Sequence, residues 1–311
     1  MKPFPKSTGY RAPVAPDPRN FILEKAQPVA PFPVSYKTDL TALGVYDQYQ
    51  IPDCVENGIT LAKRYFDYKS NGVVTDLCRR FLAKYTVQLD GFPISQGTDV
   101  ETALKVASNG SQGKGICESA LFPDDHTLDE TTFISGVPTA EAINNAKTHV
   151  ISGYAFLSDK SFNGIKNAIY QNGVVILAVT LDKNWWTAPN GNVSWAMADI
   201  LPLRIPTDAA TKSGHVVVAY AYDSNYIYIW NSFSDQWGDQ GHGWFGAEYC
   251  PYIGEAGTIV DFTPAQYAQI TKADTIVNTI DQLQNVETPA NKSLISSIIS
   301  GLWISFLALF N

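Results

Sequence analysis

Residues 213–243 read SGHVVVAYAYDSNYIYIWNSFSDQWGDQGHG, and the fold is decided in this stretch. His215 opens one apolar run, Val216 to Tyr220, and Asn231 closes a second, Tyr226 to Trp230. Asp223, Ser224 and Asn225 form a polar turn between them, flanked by β-branched and aromatic residues, which is the pattern of two antiparallel strands. An imidazole at the start of one strand and an amide at the end of its partner are then cross-strand neighbours. A histidine held by an amide is half of a catalytic constellation, and the missing half is a nucleophile.

Upstream, a proline-interrupted loop gives way at Asp53 and Cys54 to a helical pattern with Ile59, Ala62 and Phe66 on one side, so Cys54 opens a helix. A cysteine attacks a carbonyl as thiolate, and a helix N-terminus and a neighbouring imidazolium both favour that form. Asp53 reads as an N-cap, yet its carboxylate beside the sulfur should oppose thiolate formation. Gln48 lies six residues before Cys54 in the preceding loop. Its side-chain amide and the backbone N–H of Cys54 are two donors for an oxyanion formed at the sulfur. His215 would carry the proton, and Asn231 would hold the ring.

Further helices are expected at 75–86, 98–107, 139–148 and 158–171, the last stopped by Gly173, and a buried strand at 174–180. Helices come first and strands follow, which predicts an α+β fold with a helical half, a β-rich half and a cleft between them.

Composition narrows the function. Of the 311 residues, 45% are hydrophobic and 12% aromatic, enough for a sizeable core. A net charge of −8 without a Lys/Arg cluster argues against nucleic acid as a partner. Four cysteines, Cys54, Cys78, Cys117 and Cys250, show no metal-ligand spacing, so neither a metal nor another cofactor is expected. If one is a reactive thiol, three remain, an odd number for pairing; with no secretory signal in residues 1–16, a reducing compartment is the simplest expectation.

With these residues in place the chain resembles the papain-like cysteine peptidases, in particular compact microbial and viral members without a long helical pro-domain. Gln48, Cys54, His215 and Asn231 match that family's oxyanion glutamine, nucleophile, base and orienting asparagine. The intervals of six residues from Gln48 to Cys54 and sixteen from His215 to Asn231 agree with its pattern. PDPRNF, VYDQ, the Gly97-Thr98-Asp99 turn, GICESALFPDD and NSFSDQWGDQGHGWF follow in the family's order, from Pro16 to Phe262. The resemblance implies the two-lobed papain fold and cleavage of protein or peptide substrates through a thioester. It also implies a substrate groove near Gly97, Thr98 and Gly214, whose small side chains leave room for a bulky substrate residue. Pro52 and Asp53 replace the family's small residues before the nucleophile. Phe233 stands where a tryptophan ordinarily shields the asparagine and histidine, and can cover the same pair. The alternative is a catalytically inactive papain fold with a structural or binding role in a larger assembly.

Three regions follow from this division. Residues 1–44 read as an extended N-terminal arm, proline-rich to Pro33 with eight prolines, which is either a flexible leader or, as Phe21, Ile22 and Leu23 favour, an arm packed across the domain. Residues 45–262 form the catalytic domain. Residues 263–311 end in an apolar stretch, 294–310, of seventeen residues without a charge. As a helix this stretch would be slightly short for a bilayer, and it is expected to meet a protein surface or a membrane.

Overall fold

The computed structural model describes residues 8–13, 20–26, 31–190 and 194–260. The apolar stretch 294–310 lies outside the described residues. The helices are α1 (Leu23–Ala26), α2 (Cys54–Asn71), α3 (Arg79–Asp90), α4 (Val100–Ala107), α5 (Glu130–Ile134), α6 (Ala140–Ala146), α7 (Phe162–Asn172) and α8 (Met197–Ile200). The strands are β1 (Tyr36–Lys37), β2 (Tyr154–Phe156), β3 (Val175–Leu181), β4 (Ser213–Tyr222), β5 (Ile227–Trp230), β6 (His242–Phe245) and β7 (Ile253–Ile259). They form one antiparallel sheet in the order β2-β7-β3-β4-β5-β6, with β1 added on β4. Mixed helices and an antiparallel sheet make this an α+β fold.

The expected hairpin is β4 and β5. Its turn is closed by the Asp223 carboxylate, which accepts from the backbone N–H groups of Asn225 and Tyr226. Val218 pairs with Trp230. One step further places Asn231 opposite Val217, diagonal to His215 on the same face of the pleat.

Helix α2 joins the helical and β-rich parts. It packs against α3 and α4 and against β4, and every residue from Cys54 to Phe66 is buried. Gly58, one turn beyond Cys54, lets strand and helix approach: a Cβ there would stand 2.5 Å from Val216 Cγ1. Helices α3, α4, α6 and α7 start and stop within a few residues of expectation, and Gly173 caps α7 with φ 89°. Within 20–26, Ile22 bridges to Phe156 and Leu23 is buried.

One local expectation fails. The Asp53 side chain makes no capping hydrogen bond to α2. Its carboxylate turns inward instead, accepting from Asn57 Nδ2 at 2.8 Å and meeting His126 Nε2 at 2.6 Å. A buried carboxylate gains more from such partners than from a single backbone N–H.

Candidate active site

Gln48, Cys54, His215 and Asn231 converge where α2 meets β4, and all four are fully buried. Asn231 Oδ1 accepts the backbone N–H of Ser232 at 2.8 Å and lies 2.7 Å from His215 Nε2. An amide oxygen only accepts, so Nε2 carries the proton and Nδ1 is left with the free lone pair. That Nδ1 has no hydrogen-bond partner among the described residues. The neighbouring backbone N–H groups of Val216 and Val55 interact with the Cys54 sulfur. The thiol is therefore set beside the strand that carries the histidine.

Aromatic rings wall the imidazole. Phe233 stacks on His215 at 4.6 Å between centroids, and Trp185 meets it edge-on at 5.7 Å. Trp237 stacks on Trp185 and donates its Nε1–H to the Trp185 carbonyl. In the sequence, Trp185 carries no signal beyond the aromatic richness of residues 184–195, which hold three tryptophans.

The loop that carries Gln48 is zipped to the segment after β5. Gln48 N–H donates to the Ser232 carbonyl, Ser232 Oγ donates to Gln48 Oε1 at 2.7 Å, and Asp47 bridges to Phe233. With its oxygen so engaged, Gln48 aims its Nε2 at two carbonyls, Ile51 at 3.0 Å and Thr8 at 3.3 Å.

Thr8 belongs to the N-terminal arm, and its carbonyl also accepts the backbone N–H of Cys54 at 3.1 Å. Both donors expected for an oxyanion thus hold one peptide carbonyl of the chain itself. The next residues continue beside Thr98. Thr98 N–H donates to the Gly9 carbonyl at 3.0 Å, and Arg11 N–H donates to the Thr98 carbonyl at 2.9 Å. Thr8 Oγ1 bonds Ser213 Oγ and the Gly214 carbonyl. Gly9 has φ +98°, and a Cβ on it would collide with the Pro52 carbonyl. A Cβ on Gly97 would strike the Gly9 carbonyl, and one on Gly214 the Tyr10 ring. The Arg11 side chain pairs with Asp90 at 2.8 Å and lies over the Phe92 ring. Gly97, Thr98 and Gly214 all face these arm residues, while Phe233 covers the histidine.

Burial sets the electrostatics. It pushes the Cys54 thiol up, with Glu56 and Asp53 adding to the rise, and the backbone N–H groups of Val216 and Val55 oppose it only in part. The lowering expected of a helix start is outweighed, because a dry site disfavours the charged form. Burial likewise lowers His215 to about 4, against the pull of Asn231. The pair in this state is a thiol and a neutral imidazole. All four cysteines are free, and no cluster suited to a metal ion occurs among the described residues.

No family model matches the sequence, and no curated protein matches it. Solved structures do. The chain is similar to xylellain, a cysteine protease from Xylella fastidiosa, at 21% identity and TM-score 0.68, covering 85% of this chain and 99% of that one. It is similar to digestive procathepsin L 3 of the Tenebrio molitor larval midgut at 18% identity and TM-score 0.57, over 77% of this chain and 75% of that one. The Carica candamarcensis cysteine protease CMS1MS2, solved with E-64, matches at 17% identity and TM-score 0.52, over 75% of this chain and all of that one.

Proposed function

We propose that the chain, whose fold is that of the papain-like cysteine peptidases, hydrolyses peptide bonds and is held latent by its own residues 8–11. The observation that carries this reading is the Thr8 carbonyl, bonded at once by Gln48 Nε2 and Cys54 N–H. A pair of donors converging on one peptide carbonyl beside a cysteine is the arrangement that stabilises the oxyanion of acyl transfer. The arm occupies it as a substrate carbonyl would.

With the arm displaced, water reaches the site and the desolvation that keeps the proton on sulfur is relieved. Cys54 then passes its proton to His215 Nδ1 and attacks the substrate carbonyl carbon. The tetrahedral oxyanion is held by Gln48 and the Cys54 N–H. His215 returns the proton to the departing amine, leaving a thioester. Water, deprotonated by His215, cleaves the thioester and restores the thiol. Asn231 keeps the ring oriented throughout. Thr98 N–H and carbonyl, now bonded to Gly9 and Arg11, would pair with substrate backbone. The space in front of Gly97 and Gly214, taken by Gly9 and Tyr10, would receive a bulky substrate side chain, with Phe233 shielding the imidazole.

The test uses Gly9→Ala, which forces the arm from Pro52 by collision at a left-handed position. Its hydrolysis of an unbiased peptide library should exceed that of the unaltered chain by tenfold or more, on the order of the ~1.4 kcal/mol that strain of this kind supplies. Gly9→Ala combined with Cys54→Ala should cut nothing. A folded Gly9→Ala chain that stays inert, or cleavage that survives loss of Cys54, would overturn the reading.

A further inference from the structure

Asp53 immediately precedes Cys54, and a carboxylate there works against the thiolate. Its surroundings answer the problem. His126, seventy-three residues along the chain, places Nε2 at 2.6 Å from Asp53 Oδ2, and the two side chains are 2% and 0% exposed. On the far side of the ring, Nδ1 lies 3.3 Å from Asp124 Oδ1. This is close enough for an ion pair, although it is not aligned for a hydrogen bond. Ionised carboxylates only accept, so a ring that faces one at each nitrogen is placed to carry both protons.

The groups around the pair balance its charge. Arg79 Nε donates to Asp124 Oδ2 at 2.7 Å, and its Nη1 reaches Asn57 Oδ1 at 3.0 Å and the Asp47 carbonyl. Asn57 Nδ2 holds Asp53 from the helix side. The Tyr46 ring lies under the Arg79 guanidinium, and Phe133 packs on His126 at 4.6 Å. Two carboxylates thus face one guanidinium and one imidazole. Glu56, the other acidic group near the sulfur, bonds Thr86 Oγ1, and Tyr10 approaches from the arm.

We propose that His126 is a positioning residue for Cys54: it holds a protonated imidazole against Asp53, turns that carboxylate away from the α2 N-terminus, and offsets part of its charge at the sulfur. The role reaches Cys54 only through Asp53. Its effect on turnover rests on Cys54 being the nucleophile, whereas its effect on the thiol does not.

The experiment follows thiolate formation by ultraviolet absorbance against pH, in the full chain with Cys54→Ala subtracted. His126→Gln keeps a donor for Asp53 and removes the charge. Its Cys54 midpoint should rise by about one pH unit or more, the size expected of an unbalanced neighbouring charge. Asp53→Asn together with His126→Gln should bring the midpoint back to or below its starting value. Asp53→Asn alone, with His126 retained, should lower it. A folded His126→Gln chain with an unmoved midpoint would overturn the proposal, because a purely structural histidine changes stability and leaves the thiol alone. Failure of the double variant to recover would do the same. If His126→Gln does not fold, Asp53→Asn decides: an unmoved midpoint there shows that the sulfur does not sense the carboxylate. No turnover is required, so a chain that titrates as expected and cuts no peptide contradicts the peptidase reading alone.

Discussion

Buried at the head of α2, Glu56 holds a proton through most of the neutral range. Burial and then the charge of Asp53 raise its pKa from 4.5 to about 8, with the Thr86 hydroxyl opposing. A carboxyl whose folded value is raised contributes its full stability below the unfolded value, and the contribution is lost as pH climbs through the folded one. Glu56→Gln should therefore match the unaltered chain near pH 4 and be more stable at pH 8 by on the order of 4 kcal/mol, at about 1.4 kcal/mol per unit. Denaturant unfolding at a series of pH values checks this, and parallel curves would contradict it. Cys54 and His215 obey the same physics with opposite signs, one raised and one lowered by burial. Cys54, His215 and Asn231 are legible because each sits at the edge of a patterned element, and Gln48 through its interval to Cys54 in the papain-like pattern. Nothing in spacing points to His126: it lies within a loop and finds Asp53 only when the fold closes.

At the scale of elements, the contact of α2 with β4 fixes where thiol and imidazole meet, and Gly58 permits it. Gly58→Ala puts a methyl into the Val216 side chain and should cost about 1–3 kcal/mol by overpacking, while moving Cys54 away from His215. Val216→Ala in the same chain should recover most of the loss. Thermal unfolding of the two variants measures it, and a neutral Gly58→Ala would show that the helix has slack. Hairpin, helix starts and the Gly173 stop were readable because period, turn residues and glycine act locally. The inward turn of Asp53 was not, since a cap and a buried pair compete for the same carboxylate and the winner depends on residues from α3 and the 124–126 loop. Arm residues 8–11 were equally silent: they bond through a short run of backbone groups to Cys54 and Thr98, and such pairing leaves no periodic trace in a proline-rich stretch.

For the whole molecule, α+β architecture followed from the order of helices and strands, and the papain-like resemblance from motifs in sequence order. Similarity at 17–21% identity to three cysteine proteases places the fold. What the fold adds is the state of the site. Thr8, Gly9 and Arg11 of the chain itself bond Gln48, Cys54 and Thr98, and Gln48, Cys54, His215 and Asn231 are all buried. Latency by occupancy and a competent nucleophile beneath it are one account, and both are read by labelling. Mass spectrometry of the chain exposed to an epoxide that traps active thiols should find Cys54 unmodified in the full chain, modified in Gly9→Ala, and unmodified again in Gly9→Ala with His215→Ala. Equal labelling of Cys54 with and without the arm in place, or labelling indifferent to His215, would contradict it.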